Sequence, residues 1–170
     1  MPAFILMAYA LGWAKKMTDV KLYYFSAAQY GVWFPFMSKT LIERVDALGV
    51  ALRSMGYSLE ISRVASDDPE SKSQHNPVYW GEVRAIDLKV LLHGRVLNKA
   101  QLRQLYDRIR SLRLFTGIGV YPNWDTPGVH VDVREGRTVD APATWGDVGT
   151  YDVAAGRWNH NYVSVESAVV

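Results

Sequence analysis

Residues 83–90 read VRAIDLKV, and residues 117–133 read GIGVYPNWDTPGVHVDV. How these two stretches are read decides the fold. The first is predicted as one strand. The second is predicted as two short strands, GIGVY at 117–121 and VHVDV at 129–133. Pro122, Asn123, Pro127 and Gly128 supply the turn between them, since proline and glycine interrupt extended pairing and suit tight turns. Successive side chains of a strand point to opposite faces, so Asp132 shares a face with His130.

Working outward, residues 98–113 read as a helix. Asn98 is placed to cap it, and Leu102, Leu105, Ile109 and Leu112 fall on one face. Residues 38–55 read as a second amphipathic helix, with Leu41, Val45, Leu48 and Leu52 at helical spacing. Thr40 and Glu43 are a candidate capping box, and Gly56 is the stop. YSLEISRVA at 57–65 alternates as a strand does. SDDPESKSQHNPVYWGE at 66–82 is polar, carries two prolines and a glycine, and reads as a long loop; long loops in compact domains are often functional. Tyr23 to Phe36 is rich in aromatics and is expected as a strand or loop, either a hydrophobic lid on the core or a stacking surface for a ligand. Residues 134–170 are punctuated by glycine, with a late strand-like stretch from Tyr162 to Val165. The order of elements predicts an α+β fold, one domain with a small, mostly antiparallel sheet and packed helices.

The 170 residues suffice for one domain with a real core, and the 49% hydrophobic and 21% charged fractions are ordinary for a globular chain. A net charge of +2 is too balanced to argue for nucleic acid as a partner. The apolar stretch AFILMAYALGW at 3–13 is shorter than the ~20 residues a membrane span needs. Lys15 and Lys16 follow it, where a secretory signal carries its charges in front. Residues 1–16 are therefore expected as an N-terminal extension to a domain at 17–170, and membrane contact through 3–13 is the weaker reading.

No cysteine is present, so disulfides and a thiol nucleophile are excluded, and any transition metal must be held by histidine and carboxylate. The histidines are His75, His93, His130 and His160. His130 and Asp87 fall on predicted strands and His75 on the loop before one of them, so pairing of adjacent strands can bring the three together. Two imidazoles and a carboxylate suit a catalytic Zn²⁺ site with one position left for water. His93 is expected to be structural. His160, in Asn159-His160-Asn161, lacks the partners of a metal-dependent nuclease. Gly117 and Gly119 are not a phosphate loop, because no Lys-Ser/Thr follows them. Ser73 and Gln74 are expected to shape their loop by hydrogen bonding.

Ser73-Gln74-His75, then Ala85-Ile86-Asp87, then a single later histidine form a pattern that resembles the D-Ala-D-Ala carboxypeptidase-like zinc peptidases of bacteria and phages. The stretch Gly117 to Val133, with Trp145 after it, resembles a phage-associated branch of that group, and the likeness covers roughly residues 22 to 146. The resemblance implies that His75, Asp87 and His130 ligate Zn²⁺ and that Arg63 polarises the scissile carbonyl or its oxyanion. It implies a small α+β fold and, as substrate, the peptide stem of peptidoglycan. It further implies a phage lysis enzyme, or a virion component that opens the wall during infection and contacts other virion proteins. Such a protein would act on the periplasmic wall from the virion or from the host cytoplasm.

The chain departs from the pattern in two places. Eleven residues separate His75 from Asp87, more than the family's usual spacing, and Val83 stands where glycine is common. Where many relatives carry a proton-transferring acid or histidine just before the last metal histidine, this chain has Pro127 and Gly128, which cannot move a proton. Asp132, Asp125 and Glu82 are the candidate bases, and Asp132 is equally a candidate partner for the His130 imidazole. The alternative to an enzyme is a virion structural or cell-wall-binding protein that keeps the peptidase fold without catalysis.

Overall fold

A computed structural model describes residues 19–66 and 71–170. The expected extension at 1–16, with its apolar stretch 3–13, lies outside the described residues. Among those described, no helix is long and apolar enough to cross a membrane.

The helices are α1 (Lys39–Arg53), α2 (Pro77–Trp80), α3 (Lys99–Ser111) and α4 (Val165–Ala168). In α1 the residues Leu41, Val45, Leu48 and Leu52 are fully buried, which the apolar spacing anticipated, and Ile42 is buried beside them. Its start differs from expectation. The helix begins at Lys39 after Ser38, so Thr40 is already inside the first turn and the Thr40–Glu43 box does not form; Glu43 instead lies 3.8 Å from Lys39, one turn back. In α3 the expected cap holds, with the Asn98 side chain accepting from the Gln101 amide at 2.9 Å. Leu102, Leu105 and Ile109 face the core.

The aromatic segment is neither strand nor loop. Ala27–Phe36 winds as a 3-10 helix that kinks at Gly31 (φ 62°), a conformation that costs glycine little. Gln29 closes the entrance by accepting from the Ser26 amide at 2.9 Å. Just before it, the buried Asp46 of α1 accepts the amides of Tyr23, Tyr24 and Phe25 at 2.7, 2.9 and 2.9 Å. One carboxylate thus fastens this strap to the helix. Tyr30 and Phe36 bury their rings against the core, as a lid would.

The strands are β1 (Tyr57–Arg63), β2 (Ala85–Leu92), β3 (Arg95–Val96), β4 (Gly117–Tyr121), β5 (Gly128–Asp132), β6 (Ala143–Asp147), β7 (Thr150–Asp152), β8 (Arg157–Asn159) and β9 (Tyr162–Val163). Seven form one sheet in the order β1-β2-β5-β4-β6-β9, with β3 paired to β2, while β7 and β8 make a separate hairpin. All pairs are antiparallel except β4 with β6. The fold is α+β with a mostly antiparallel sheet, as expected. The long loop is less open than expected, because residues 77–80 turn as α2 with the Asn76 side chain capping it. The expected strand from Tyr162 to Val165 stops at Val163, because Ser164 caps α4.

Period-two alternation splits the sheet. Ile86, Leu88, Val90, Ile118, Val120, Val129 and Val131 join the side chains of α1 and α3 in one core. The opposite face is left for Asp87, His130, Asp132 and the two glycines of β4.

A metal-competent centre on the open face of the sheet

Strand register builds the site. Arg63 pairs with Asp87, Asp87 with His130, His130 with Gly119, and Gly119 with Trp145. These five residues form one row across four strand boundaries. A bulge between Ile61 and Arg63 is what admits Arg63 to the row. Ile61 pairs with the core residue Leu88, and without an extra residue Arg63 would follow it onto the core face. The inserted Ser62 re-aims Arg63 beside Asp87.

The two β4 glycines are floor space. A Cβ on Gly119 would stand 2.6 Å from the Trp145 ring, and one on Gly117 would stand 2.3 Å from the Asp132 carboxylate. With hydrogen there instead, Trp145 lies across Gly119 to within 5.0 Å of the His130 ring, and Asp132 settles over Gly117. The GIG motif thus has a packing function, consistent with the exclusion of a phosphate loop.

His75, the third member, comes from the loop. It is held by its own backbone, since the Ser66 amide donates to the His75 carbonyl at 3.0 Å and the Arg84 amide donates to the Gln74 carbonyl at 2.8 Å. Ser73 accepts from the His75 amide at 3.3 Å, the shaping role expected of it. Gln74 shapes the loop through its backbone. Its side-chain oxygen is buried and has no partner among the described residues.

His75 Nε2, His130 Nδ1 and Asp87 Oδ1 converge, with separations of 3.2, 3.2 and 2.8 Å. The tautomers follow from the far side of each ring. His75 Nδ1 lies 2.8 Å from the Val64 carbonyl, which only accepts, so Nδ1 carries the proton and Nε2 turns a lone pair inward. His130 Nε2 lies 3.0 Å from Asp132 Oδ2 and donates to it, so Nδ1 faces inward. Three electron-rich atoms therefore surround one point, and the centre favours a positive charge there. Burial works against charge on His130, but hydrogen bonds to Asp132 and Asp87 outweigh it and raise its pKa to about 9. Burial likewise pushes Asp87 up, yet the two imidazoles hold it well below the usual carboxylate range. His75, Asp87 and His130 are all buried and together can hold a metal ion. The spacing suits one, because Zn–N bonds of about 2.0–2.1 Å in a tetrahedron put ligand atoms about 3.3 Å apart.

Asp132 is fully buried. Besides His130 it takes the Arg134 amide at 3.1 Å and the Arg134 guanidinium at 2.9 and 3.0 Å. Burial would raise it, but His130 and Arg134 bring it down to about 2. Of the two roles open to it, these contacts are those of a carboxylate that orients an imidazole. Arg134 in turn lies 4.9 Å over the Trp145 ring.

His75, Asp87 and His130 line a cleft of about 990 Å³, which Arg63, Lys72, Arg134 and several tryptophans also line. Glu82 and Asp125 do not border it; Glu82 pairs with Arg84 at 3.4 Å. His93 is elsewhere, with its ring over Gly56 at the β2–β3 turn. The residues that sequence reasoning missed are His160, set aside there, and Asp147, at the end of an unexpected strand. Both line the cleft, and His160 Nδ1 lies 2.6 Å from Asp147 Oδ2. No family model, no curated protein and no solved structure matches the chain.

Proposed function

We propose that this protein is a zinc-dependent peptidase that hydrolyses peptide bonds in the peptide stem of peptidoglycan. The observation that carries the proposal is the convergence of His75 Nε2, His130 Nδ1 and Asp87 Oδ1 in a wide cleft. Two imidazoles, each fixed from behind, and one carboxylate are a donor set that zinc accepts while keeping a position open. Zinc bound there supplies a Lewis acid for a carbonyl and makes water a nucleophile near neutral pH.

The chain's own residues supply the rest. Val64 and Asp132 lock the two imidazoles in the tautomers that face the centre. Arg63, re-aimed by the Ser62 bulge, stands next to Asp87 and steadies the negative charge that grows on the carbonyl oxygen. The aromatic and cationic cleft walls suit an extended peptide bearing carboxylates. The phage lysis or wall-opening role rests on the resemblance of the motifs.

A second reading has its own supporting observation. A side chain at position 128 is sterically barred, because its Cβ would stand 2.3 Å from the Leu88 carbonyl oxygen. The position at which related patterns carry a proton-transferring group is therefore unusable, which favours a wall-binding or virion structural protein unless another residue takes that part. Elemental analysis of protein purified without added metal, paired with release of soluble fragments from purified sacculi, separates the readings. About one zinc per chain and chelator-sensitive release is the result expected of the single centre. Zinc with binding to sacculi but no release would favour the second reading. A metal-free chain in which His75→Ala changes nothing would sink the triad and the peptidase reading with it.

A further inference from the structure

We propose that His160, held by the buried carboxylate of Asp147, carries the proton in hydrolysis at the His75–Asp87–His130 centre. This rests on the peptidase reading above and supplies the part that Pro127 and Gly128 leave vacant.

Asp147 ends β6 on the cleft face of the sheet, and its side chain has 0% exposure. It accepts from the Gly149 and Asn161 amides at 2.9 Å each, from Trp158 Nε1 at 3.3 Å and from His160 Nδ1 at 2.6 Å. Burial works against its charge, but the His160 bond and the two amides outweigh it and keep it below the usual carboxylate range. A carboxylate so saturated cannot itself exchange protons with substrate. It can fix a histidine. With Nδ1–H donated to Asp147, His160 is left with a lone pair on Nε2, the tautomer of a general base. The ring is stacked on Tyr162, with centroids 5.4 Å apart and planes 5° from parallel. The side chain keeps 52% exposure and lines the same cleft as the three ligands.

The two groups share neighbours. Burial, with the charges of Asp87 and Asp147 behind it, raises Tyr121, and burial with Asp147 and then Asp87 raises Tyr162. Both hydroxyls thus feel both carboxylates. Elimination points the same way. Asp132 is sealed between His130 and Arg134, Glu82 and Asp125 are off the cleft, and the cleft tyrosines are held protonated. Among the described residues, His160 is the imidazole on the cleft wall whose free nitrogen is not turned toward the His75–Asp87–His130 centre.

The step balances within water and peptide. His160 Nε2 takes one proton from water as its oxygen bonds to the carbonyl carbon. The C–N bond then breaks, and the same proton passes to the departing nitrogen, giving a carboxylic acid and an amine; the acid's remaining water proton then moves to the amine, leaving a carboxylate and an ammonium. Asp147 stays ionised throughout and is a positioning residue.

The test uses the full-length, zinc-loaded chain with a soluble stem peptide and sacculi as substrates. His160→Gln is expected to lower kcat by about 10²-fold or more while KM and zinc content stay near wild type. Added imidazole is expected to restore part of the rate to His160→Ala. Asp147→Asn, which favours the wrong tautomer, is expected to lower kcat comparably. Because Asp147 also ties two backbone amides, the exposed His160 variants decide if that one misfolds. An independent readout is the ¹⁵N spectrum of the metal-free chain, where neutral His160 should carry its proton on Nδ1. A wild type that hydrolyses, with His160→Gln equally fast or with the proton on Nε2, overturns this assignment alone. A wild type that releases nothing overturns the peptidase reading and this role with it.

Discussion

Replacing Asp132 by asparagine tests the electrostatic logic of the centre without altering its volume. The carboxylate serves three donors at once, His130 Nε2 at 3.0 Å, the Arg134 guanidinium at 2.9 and 3.0 Å and the Arg134 amide at 3.1 Å. An asparagine offers one acceptor oxygen and sets an NH₂ against whichever donor it does not serve. If Arg134 keeps the oxygen, His130 loses the acceptor that holds its proton on Nε2. The proton then competes for Nδ1, the nitrogen that faces the proposed metal position. Loss of such a supporting hydrogen bond typically weakens metal binding about 10–100-fold, which is about 1.4–2.7 kcal/mol. Competition against a chromophoric chelator at fixed pH measures it directly. Thermal melts with and without zinc should show the same loss as a smaller metal-induced rise in Tm. The reasoning fails if Asp132→Asn binds zinc as tightly as the wild type. If hydrolysis were lost at the same time, Asp132 would be the base after all, and the orienting role drawn from its burial would be wrong.

Three further outcomes follow from the packing and charges around the site. Gly119→Ala forces its Cβ into a ring 2.6 Å away, so Trp145 must leave His130. Overpacking of this kind costs about 1–3 kcal/mol, or about 2–4 °C of Tm per kcal/mol, and an unchanged melt with unchanged tryptophan fluorescence would contradict it. Asp46→Ala leaves the amides of residues 23–25 without their shared acceptor, which should cost about 2–4 kcal/mol by urea denaturation and free the aromatic strap to exchange its amide hydrogens faster. In acid, Asp147 contributes through its lowered pKa. A carboxylate whose folded value lies below the unfolded one, near 4, adds stability above that unfolded value and loses it as pH falls through the folded value. The gap in urea midpoint between pH 7 and about pH 3 should therefore be smaller in Asp147→Asn than in the wild type, and an equal gap would refute the contribution.

Much of the site was legible because it depends on local alternation. GIGVY became β4 with the bounds read from the sequence, and VHVDV became β5 shifted by one residue. Once β2, β5 and β4 are neighbours, their register alone brings Asp87 to His130. What escaped reading is set by tertiary partners. Ala143–Asp147 carries no alternation to announce a strand, and it is extended because β4 offers a parallel edge. His160 looked idle because its partner stands thirteen positions earlier, on that same unannounced strand. The nearest signal was local, an imidazole between Trp158 and Tyr162 in a stretch otherwise short of core residues. The Thr40–Glu43 box failed for a simpler reason, since Ser38 is as good a start and lies two positions earlier. The aromatic segment had no periodicity to read. Its winding follows from the anchor at Asp46 and the kink at Gly31.

The row running from Arg63 to Trp145 also constrains how such a chain can change length over evolutionary time. Adding or deleting one residue within β2, β4 or β5 would invert every later side chain of that strand, sending a ligand into the core and a valine into the cleft. The segment 76–84, ahead of β2, is under no such parity. Residues 77–80 form α2, capped by Asn76, and the Arg84 amide closes back on Gln74, all outside the row. Length variation among descendants of this sequence should therefore collect in that segment and in the β7–β8 hairpin, while the strands change by substitution alone.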